Sequence, residues 1–165
     1  MQAPLPRLLI LLLLASLLAG CGFHLRNSKA LESHAPLYVA GLPRYDTLRE
    51  ALQDTLTASQ IVVVPSKEMA KSIMKIRDQG ERQQIITVDS RGKATEYMLI
   101  RTVGVSLVAP DGNELVPEHI VSVRRTWIEV GKTGLAGSRE ARELRHRMLR
   151  ELSMSILRTL DYALR

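Results

Sequence analysis

The chain has 165 residues, of which 45% are hydrophobic and 24% are charged. This length predicts one ordinary domain that can bury a core, and the net charge of +6 is only a moderate excess. Aromatic residues make up 4% of the chain, and no patch interleaves them with basic residues as base-stacking proteins do. We therefore expect no nucleic-acid partner.

The amino-terminal residues follow the order of an export signal. Arg7 precedes the uncharged apolar run Leu8 to Leu18, and two small residues then lead to Cys21. The apolar run is too short to span a bilayer, since a transmembrane helix needs about 20 apolar residues. We predict that residues 1–20 form a signal peptide, which is removed.

Cys21 is the only cysteine in the chain, and the sequence LAGC at residues 18–21 resembles the lipobox of bacterial lipoproteins. That resemblance implies an S-diacylglycerol and N-acyl lipid on Cys21, covalently attached after cleavage. The alternative is a free thiol placed there by chance. Gly22 stands where an aspartate usually retains such proteins in the inner membrane, so we expect a lipid anchor in the outer membrane, on the periplasmic side.

The segment after Cys21 is polar and without a sustained period up to Ala35, which predicts a tether over residues 21–35. A single domain should then occupy residues 36–165. Leu37 to Ala40 is typical of a short strand. The β-branched run Ile61 to Val64 should be buried.

A helix is predicted between these two apolar segments. Thr47 and Glu50 have the spacing of a capping box, with Thr47 as the N-cap. Apolar residues follow at helical intervals and stop near Ser59. A second helix is predicted near the end of the chain, where Ser138 is a candidate N-cap for a helix that reaches almost to Arg165.

Long strands are predicted between the two helices. Alternation typical of a half-buried strand begins at Ser72 and is interrupted at Gly80, where we expect a bulge or bend. It resumes with Ile86 and Val88. The turn at residues 89–93 leads into a strand over residues 94–108. A second turn at residues 110–113 precedes a strand that should begin at His119 and end at Ile128.

These elements predict an α+β fold in which two helices pack on one face of an approximately four-stranded mixed or antiparallel sheet. One face of the strand over residues 94–108 is apolar except for Arg101. The opposite face mixes apolar, polar and small residues. It is either an ordinary solvated face or a docking surface.

The sequence contains no recognisable catalytic or metal-binding motif. Its four histidines lack metal-ligand spacing, and neither a nucleophile motif nor a glycine-rich phosphate loop is present. Asp89 and Glu96 could approach each other across a hairpin, but carboxylates beside a turn are usually surface charges. We predict a protein that is not an enzyme and has no metal or cofactor besides its covalent lipid.

Three short motifs resemble those of the lipopolysaccharide-assembly lipoprotein family LptE, also called rare lipoprotein B. They are CGFHLR at residues 21–26, ATEY at residues 94–97 and SVRRTW at residues 122–127. The resemblance implies an outer-membrane lipoprotein that sits as a plug inside the large β-barrel protein LptD. The pair would move lipopolysaccharide to the cell surface. An alternative from another class is a lipoprotein that works alone as a periplasmic carrier or sensor of a small ligand.

The resemblance also implies lipopolysaccharide binding through basic residues near the hairpin turn and in the loop before the last helix. The matching residues are Arg91 and Lys93 in the turn and Lys132 and Arg139 in the loop. Gly137 stands where a loop lysine is expected, which departs from the family pattern. Arginine can contact lipid A phosphates bidentately and lysine acts as a point charge. The alternative is that these residues are merely solvated.

Overall fold

The computed structural model describes residues 28–128 and 135–165. These residues form the helices α1 (Lys29–Glu32), α2 (Thr47–Ala58) and α3 (Leu135–Ala163) and the strands β1 (Leu37–Ala40), β2 (Ser72–Val88), β3 (Ala94–Val108) and β4 (Glu114–Ile128). The strands make one sheet in the order β1-β2-β3-β4, in which β1 is parallel to β2 and the other pairs are antiparallel. The predicted α+β fold with a four-stranded mixed sheet is confirmed.

The hydrophobic core lies between the two long helices and one face of the sheet. Helix α2 contributes Leu48, Leu52 and Leu56, which recur at intervals of four residues and are fully buried. Each leucine of this kind stabilises the fold by about 1.5–3 kcal/mol relative to an exposed side chain. Strand β3 contributes alternate residues, and helix α3 covers them with its own apolar stripe.

Helix α2 lies where it was predicted, but it begins one residue earlier and its N-cap is Asp46. The Asp46 carboxylate accepts hydrogen bonds from the backbone N–H groups of Leu48 (2.8 Å) and Arg49 (3.3 Å). Thr47 is therefore the first helical residue and not the N-cap. An ionised carboxylate fits this position better than a hydroxyl, because it also interacts favourably with the positive end of the helix dipole.

The segment before β1 is not a tether over its whole length. Residues 29–32 form helix α1, and Leu31 is completely buried against the core. The backbone N–H groups of Ala30 (2.9 Å) and Leu31 (3.3 Å) donate to the carboxylate of Asp161 in α3. This long-range contact orders a segment whose local sequence is polar.

The β-branched run at residues 61–64 is buried only at its first residue. Ile61 is 2% exposed, whereas Val62 is 60% exposed. Val63 makes an isolated parallel bridge to Leu37, with hydrogen bonds from the Leu37 N–H to the Val62 carbonyl and from the Val64 N–H to the Leu37 carbonyl, both 2.8 Å. The run therefore covers the outer edge of β1 and does not form a central strand.

Strand β4 begins at Glu114, five residues before the predicted start. Pro117 lies inside this strand. Proline cannot donate to a strand ladder, so the sequence pattern did not indicate a strand across this position. The sheet order places β4 at an edge, where a missing donor on the outer side is tolerated.

Helix α3 begins at Leu135, so Ser138 lies inside the helix and is not its N-cap. The buried face of α3 includes Leu157, which is only 3% exposed, whereas Met154 is 49% exposed. No described helix is long and apolar enough to cross a membrane.

Candidate functional site

The β2 strand of the β2–β3 hairpin becomes fully exposed towards its turn. Its register shifts between Asp78 and Glu81, which confirms the predicted bulge near Gly80. Gly80 has φ +81°, and its N–H donates to the Asp78 carboxylate at 2.8 Å. We call residues 81–101 beyond this bulge the outer hairpin. Side chains 81–88 along its β2 strand are all exposed.

The turn of the outer hairpin is fixed by Asp89. Its Oδ1 accepts hydrogen bonds from the backbone N–H groups of Arg91 and Lys93, both at 2.9 Å, and Gly92 adopts φ +77°. The predicted basic residues Arg91 and Lys93 are thus held in one tight turn, and both side chains are exposed. Glu96 instead accepts a hydrogen bond from the Thr87 hydroxyl at 2.9 Å. Asp89 and Glu96 each stabilise local structure.

Exposed β-branched residues accompany the basic turn. Ile85 is 62% exposed, Ile86 46% and Val88 53%, and Ile128 on the neighbouring end of β4 is 56% exposed. Ile86 and Val88 lie in β2, as the alternation predicted, but both are exposed, so this part of the strand is not half-buried. Exposed apolar residues contribute to binding surfaces when they form a patch. The end of the outer hairpin therefore combines two cationic side chains with three exposed apolar ones, and the adjoining end of β4 adds a fourth.

Behind this end, the stacked rings of Tyr97 and Trp127 stiffen the β3–β4 pair. They are directly opposite in the register, with ring centroids 5.4 Å apart and an interplanar angle of 26°. Such a cross-strand aromatic pair contributes about 0.5–1.5 kcal/mol beyond its buried area. The outer hairpin is thus supported on the β4 side.

Three ion pairs attach the base of the outer hairpin and β4 to the rest of the fold. Arg101 pairs with Asp78, Arg145 of α3 pairs with Glu81 at 2.9 Å, and Arg125 of β4 pairs with Glu151 of α3. The Arg101–Asp78 pair is largely buried, which explains why an arginine interrupts the apolar face of β3. A pocket of about 210 Å³ lies beside it, lined in part by Arg142 and His146.

The opposite sheet face carries an ion pair over a glycine. Arg77 Nε donates to Glu118 Oε1 at 2.8 Å, and the pair crosses above Gly104. The hydrogen bond from Arg77 lowers the pKa of Glu118 and, reciprocally, raises that of Arg77. Ile120 on the same face is 57% exposed, whereas Ile100 and Val108 are buried.

The remaining predicted site residues do not join the turn in one cluster. Arg139 is exposed on α3, and Arg145, six residues further along, contacts Glu81; Arg139 thus lies about 9 Å along the helix from that ion pair. Cys21 and Lys132 lie outside the described residues. Within residues 28–128 and 135–165, no group of His, Cys, Asp and Glu side chains is arranged to hold a metal ion.

Comparison with known structures shows the same fold in bacterial lipoproteins. Rare lipoprotein B from Shewanella oneidensis has a TM-score of 0.62 and 21% identity, with 75% of this chain and 92% of that chain covered. Lipoprotein B from Nitrosomonas europaea has a TM-score of 0.65 and 21% identity, with 76% of this chain and 81% of that chain covered.

Comparisons of the sequence also find lipoproteins. The LPS-assembly lipoprotein LptE of Yersinia enterocolitica is 30% identical over 159 residues, which cover 93% of this chain and 75% of that protein. Residues 35–160 match the family described as LptE: Lipopolysaccharide-assembly. The chain therefore belongs to the LptE family of lipopolysaccharide-assembly lipoproteins.

Proposed function

We propose that this protein is an outer-membrane lipoprotein, acylated at Cys21, that acts as the plug and assembly partner of an LptD-type β-barrel and binds lipopolysaccharide. The observation that carries the binding proposal is the end of the outer hairpin, where Arg91 and Lys93 stand beside exposed β-branched side chains. Membership of a lipopolysaccharide-assembly family supports the same ligand.

The composition of the hairpin end suits a phosphorylated lipid. The phosphates of lipid A would accept hydrogen bonds from the guanidinium of Arg91. The ammonium of Lys93 would attract the same phosphates electrostatically. Acyl chains beside these phosphates would cover Ile85, Ile86 and Val88, which water now contacts. Removing such apolar area from water contributes about 25 cal/mol per Å².

The shape of the sheet supports the plug proposal. Strands β2, β3 and β4 have 17, 15 and 15 residues, so each extends roughly 50 Å. An extended sheet with an open β4 edge is at risk of pairing with other chains in solution. A wide barrel lumen would enclose that edge and the exposed apolar residues of the hairpin.

The binding proposal is tested by charge reversal at the turn. The double variant Arg91→Glu and Lys93→Glu should bind lipopolysaccharide at least about tenfold more weakly. The reason is that two cationic hydrogen-bond donors are replaced by carboxylates, which repel the lipid A phosphates. A matched control is Lys67→Glu with Arg147→Glu, which makes the same charge change at exposed positions elsewhere. Equal binding by both double variants would remove the turn from the site.

A further inference from the structure

The last turns of α3 meet the first described residues at one end of the fold. Asp161 accepts hydrogen bonds from the N–H groups of Ala30 and Leu31, and Arg165 Nη2 donates to the same carboxylate at 2.6 Å. A pocket of about 310 Å³ lies at this junction, lined by Ser28, Arg158, Asp161, Tyr162 and Arg165. We call this the anchor-end pocket.

The side chains that line the anchor-end pocket carry one net positive charge. Its lining has two guanidinium groups and one carboxylate, and that carboxylate is already occupied by Arg165 and by two backbone donors. Arg158 is exposed, and the described residues give it only long hydrogen bonds to the Met154 carbonyl (3.3 Å) and the Ser155 hydroxyl (3.5 Å). Its charge is therefore available to an external anion.

An apolar and aromatic surface adjoins this charge. Tyr162 is 80% exposed and Met154 is 49% exposed, and together with Arg158 they are spaced four residues apart along one face of α3. Tyrosine and arginine side chains of this kind are favoured at the boundary between lipid headgroups and acyl chains, because each has an apolar body and a polar tip.

The chain before Ser28 limits how far this end can lie from the membrane. Ser28 is seven positions after Cys21 in the chain, so a fully extended connection spans at most about 25 Å. The hairpin turn is much further away, because strand β2 alone runs roughly 50 Å from Ser72 to Val88. The Ser72 hydroxyl donates to the His34 carbonyl at 2.6 Å, which places the start of β2 close to the segment that follows α1.

We propose that the anchor-end pocket, with Tyr162 and Met154 beside it, docks on the phosphate headgroups of the bilayer that holds the acylated Cys21. The occupant of the pocket is a phospholipid phosphate, bound by Arg158 and Arg165, so this end of the plug lies at the headgroup level of that bilayer. The inference rests on the proposed acylation of Cys21 and adds the face that meets the lipid.

Depth-dependent fluorescence quenching tests this orientation. Acylation consumes the thiol of Cys21, so an introduced cysteine is the only reactive thiol in the chain. Ala163→Cys places a label beside the pocket on an exposed position, and Ser90→Cys places one on the exposed hairpin turn. The acylated chain is reconstituted in phosphatidylethanolamine vesicles with phosphatidylglycerol, and nitroxide lipids labelled at the headgroup act as quenchers.

The label at position 163 should be quenched strongly and the label at position 90 weakly. Adding Arg158→Glu should lower the ratio of docked to undocked domain by about fivefold or more, and so reduce quenching at position 163. Arg147→Glu, an equal charge change about 16 Å back along the helix, should leave quenching unchanged. Tyr162→Ser should reduce quenching without altering its dependence on phosphatidylglycerol.

Equal quenching at both positions, or stronger quenching at position 90, would overturn the orientation. If Arg147→Glu reduced quenching as much as Arg158→Glu, docking would depend on the overall positive charge of the helix and not on the pocket. That result would overturn the proposed site. Mass spectrometry of the purified chain separates these outcomes from failure of the underlying proposal. A chain without lipid mass on Cys21 contradicts acylation, whereas an acylated chain without quenching contradicts only the docking.

Discussion

The carboxylate of Asp161 accepts a hydrogen bond from the backbone N–H of Leu31 across 130 residues of sequence. Asp161 also accepts from the N–H of Ala30, so one side chain near the end of α3 caps the short helix α1. Leu31 itself is completely buried in the hydrophobic core. The carboxylate of Asp161 thus adds a polar link between the beginning and the end of the described fold.

Replacing Asp161 by alanine should therefore release α1. The variant leaves two backbone donors and Arg165 without their acceptor, which costs about 1–3 kcal/mol of unfolding free energy. Chemical denaturation gives this loss, and hydrogen exchange should show faster exchange at residues 30 and 31 specifically. Glu32→Ala, an exposed change in the same helix, serves as the control. Unchanged exchange in the Asp161 variant would refute the capping role.

The same carboxylate should make stability depend on acid pH. Burial raises the pKa of Asp161, but the hydrogen bonds from Arg165, Leu31 and Ala30 outweigh it and leave the pKa below its ordinary value. A lowered folded-state pKa gives stability that is full above the unfolded-state pKa, about 4, and is lost as pH falls through the folded-state pKa. The loss of stability below pH 4 should be smaller in Asp161→Asn. An identical pH profile would contradict this assignment.

Two glycines should respond very differently to alanine. A Cβ at Gly41 would lie 2.0 Å from the Ile76 carbonyl oxygen, and its φ of +91° disfavours any other residue. Gly41→Ala should cost more than about 2 kcal/mol, because backbone atoms cannot move aside cheaply. A Cβ at Gly104 would instead meet the flexible carboxylate of Glu118 at 2.3 Å.

Gly104→Ala should displace that carboxylate with a much smaller loss of stability. The pKa of Glu118 should then rise towards its ordinary value, since the hydrogen bond from Arg77 that lowers it is broken. Thermal denaturation and NMR titration of Glu118 measure the two effects. Equal destabilisation by the two alanines would contradict the geometry of the open sheet face.

The Arg101–Asp78 pair at the base of the outer hairpin should show strong coupling. Arg101→Met leaves a largely buried carboxylate without its cation and should cost about 1–3 kcal/mol. Adding Asp78→Asn removes the unpaired charge and still leaves an oxygen for the Gly80 N–H, so the double variant should recover part of the loss. A double-mutant cycle with no interaction energy would show that the pair is not coupled.

The exposed isoleucines should matter for association and not for folding. Ile85→Thr with Ile86→Thr keeps β-branched side chains in the strand and should change unfolding free energy by no more than about 0.5 kcal/mol. Self-association of the chain without a barrel partner should fall, as measured by sedimentation velocity. A large loss of stability would mean that these side chains are buried in the fold.

The sequence predicted the parts of the fold that depend on local pattern. Alternation located β2 and β3, and Gly80 marked the bulge between Asp78 and Glu81. Helix α1 could not be found this way, because Leu31 is a lone apolar residue whose burial depends on the distant Asp161. Pro117 concealed the start of β4, because its tolerance follows only from the edge position of that strand.

The candidate site could be predicted only in part, because only some of its features depend on the local sequence pattern. The glycine at position 92 located the turn, and the family resemblance pointed to Arg91 and Lys93 within it; the structure adds that Asp89 holds their backbone N–H groups. The exposure of Ile85 and Ile86 was not predictable, because burial depends on which distant elements pack on a strand and the local alternation does not show that. The ion pair of Arg145 with Glu81 likewise joins elements 64 residues apart, which no local pattern indicates.

The central proposal is tested most directly by affinity purification of the tagged lipoprotein from detergent-extracted outer membranes, with mass spectrometry of what accompanies it. We predict that a large β-barrel protein of the LptD type accompanies the chain in equal amounts and withstands harsh washing. Recovery of the chain alone, or with inner-membrane proteins, would contradict the plug proposal and favour a lipoprotein that works by itself.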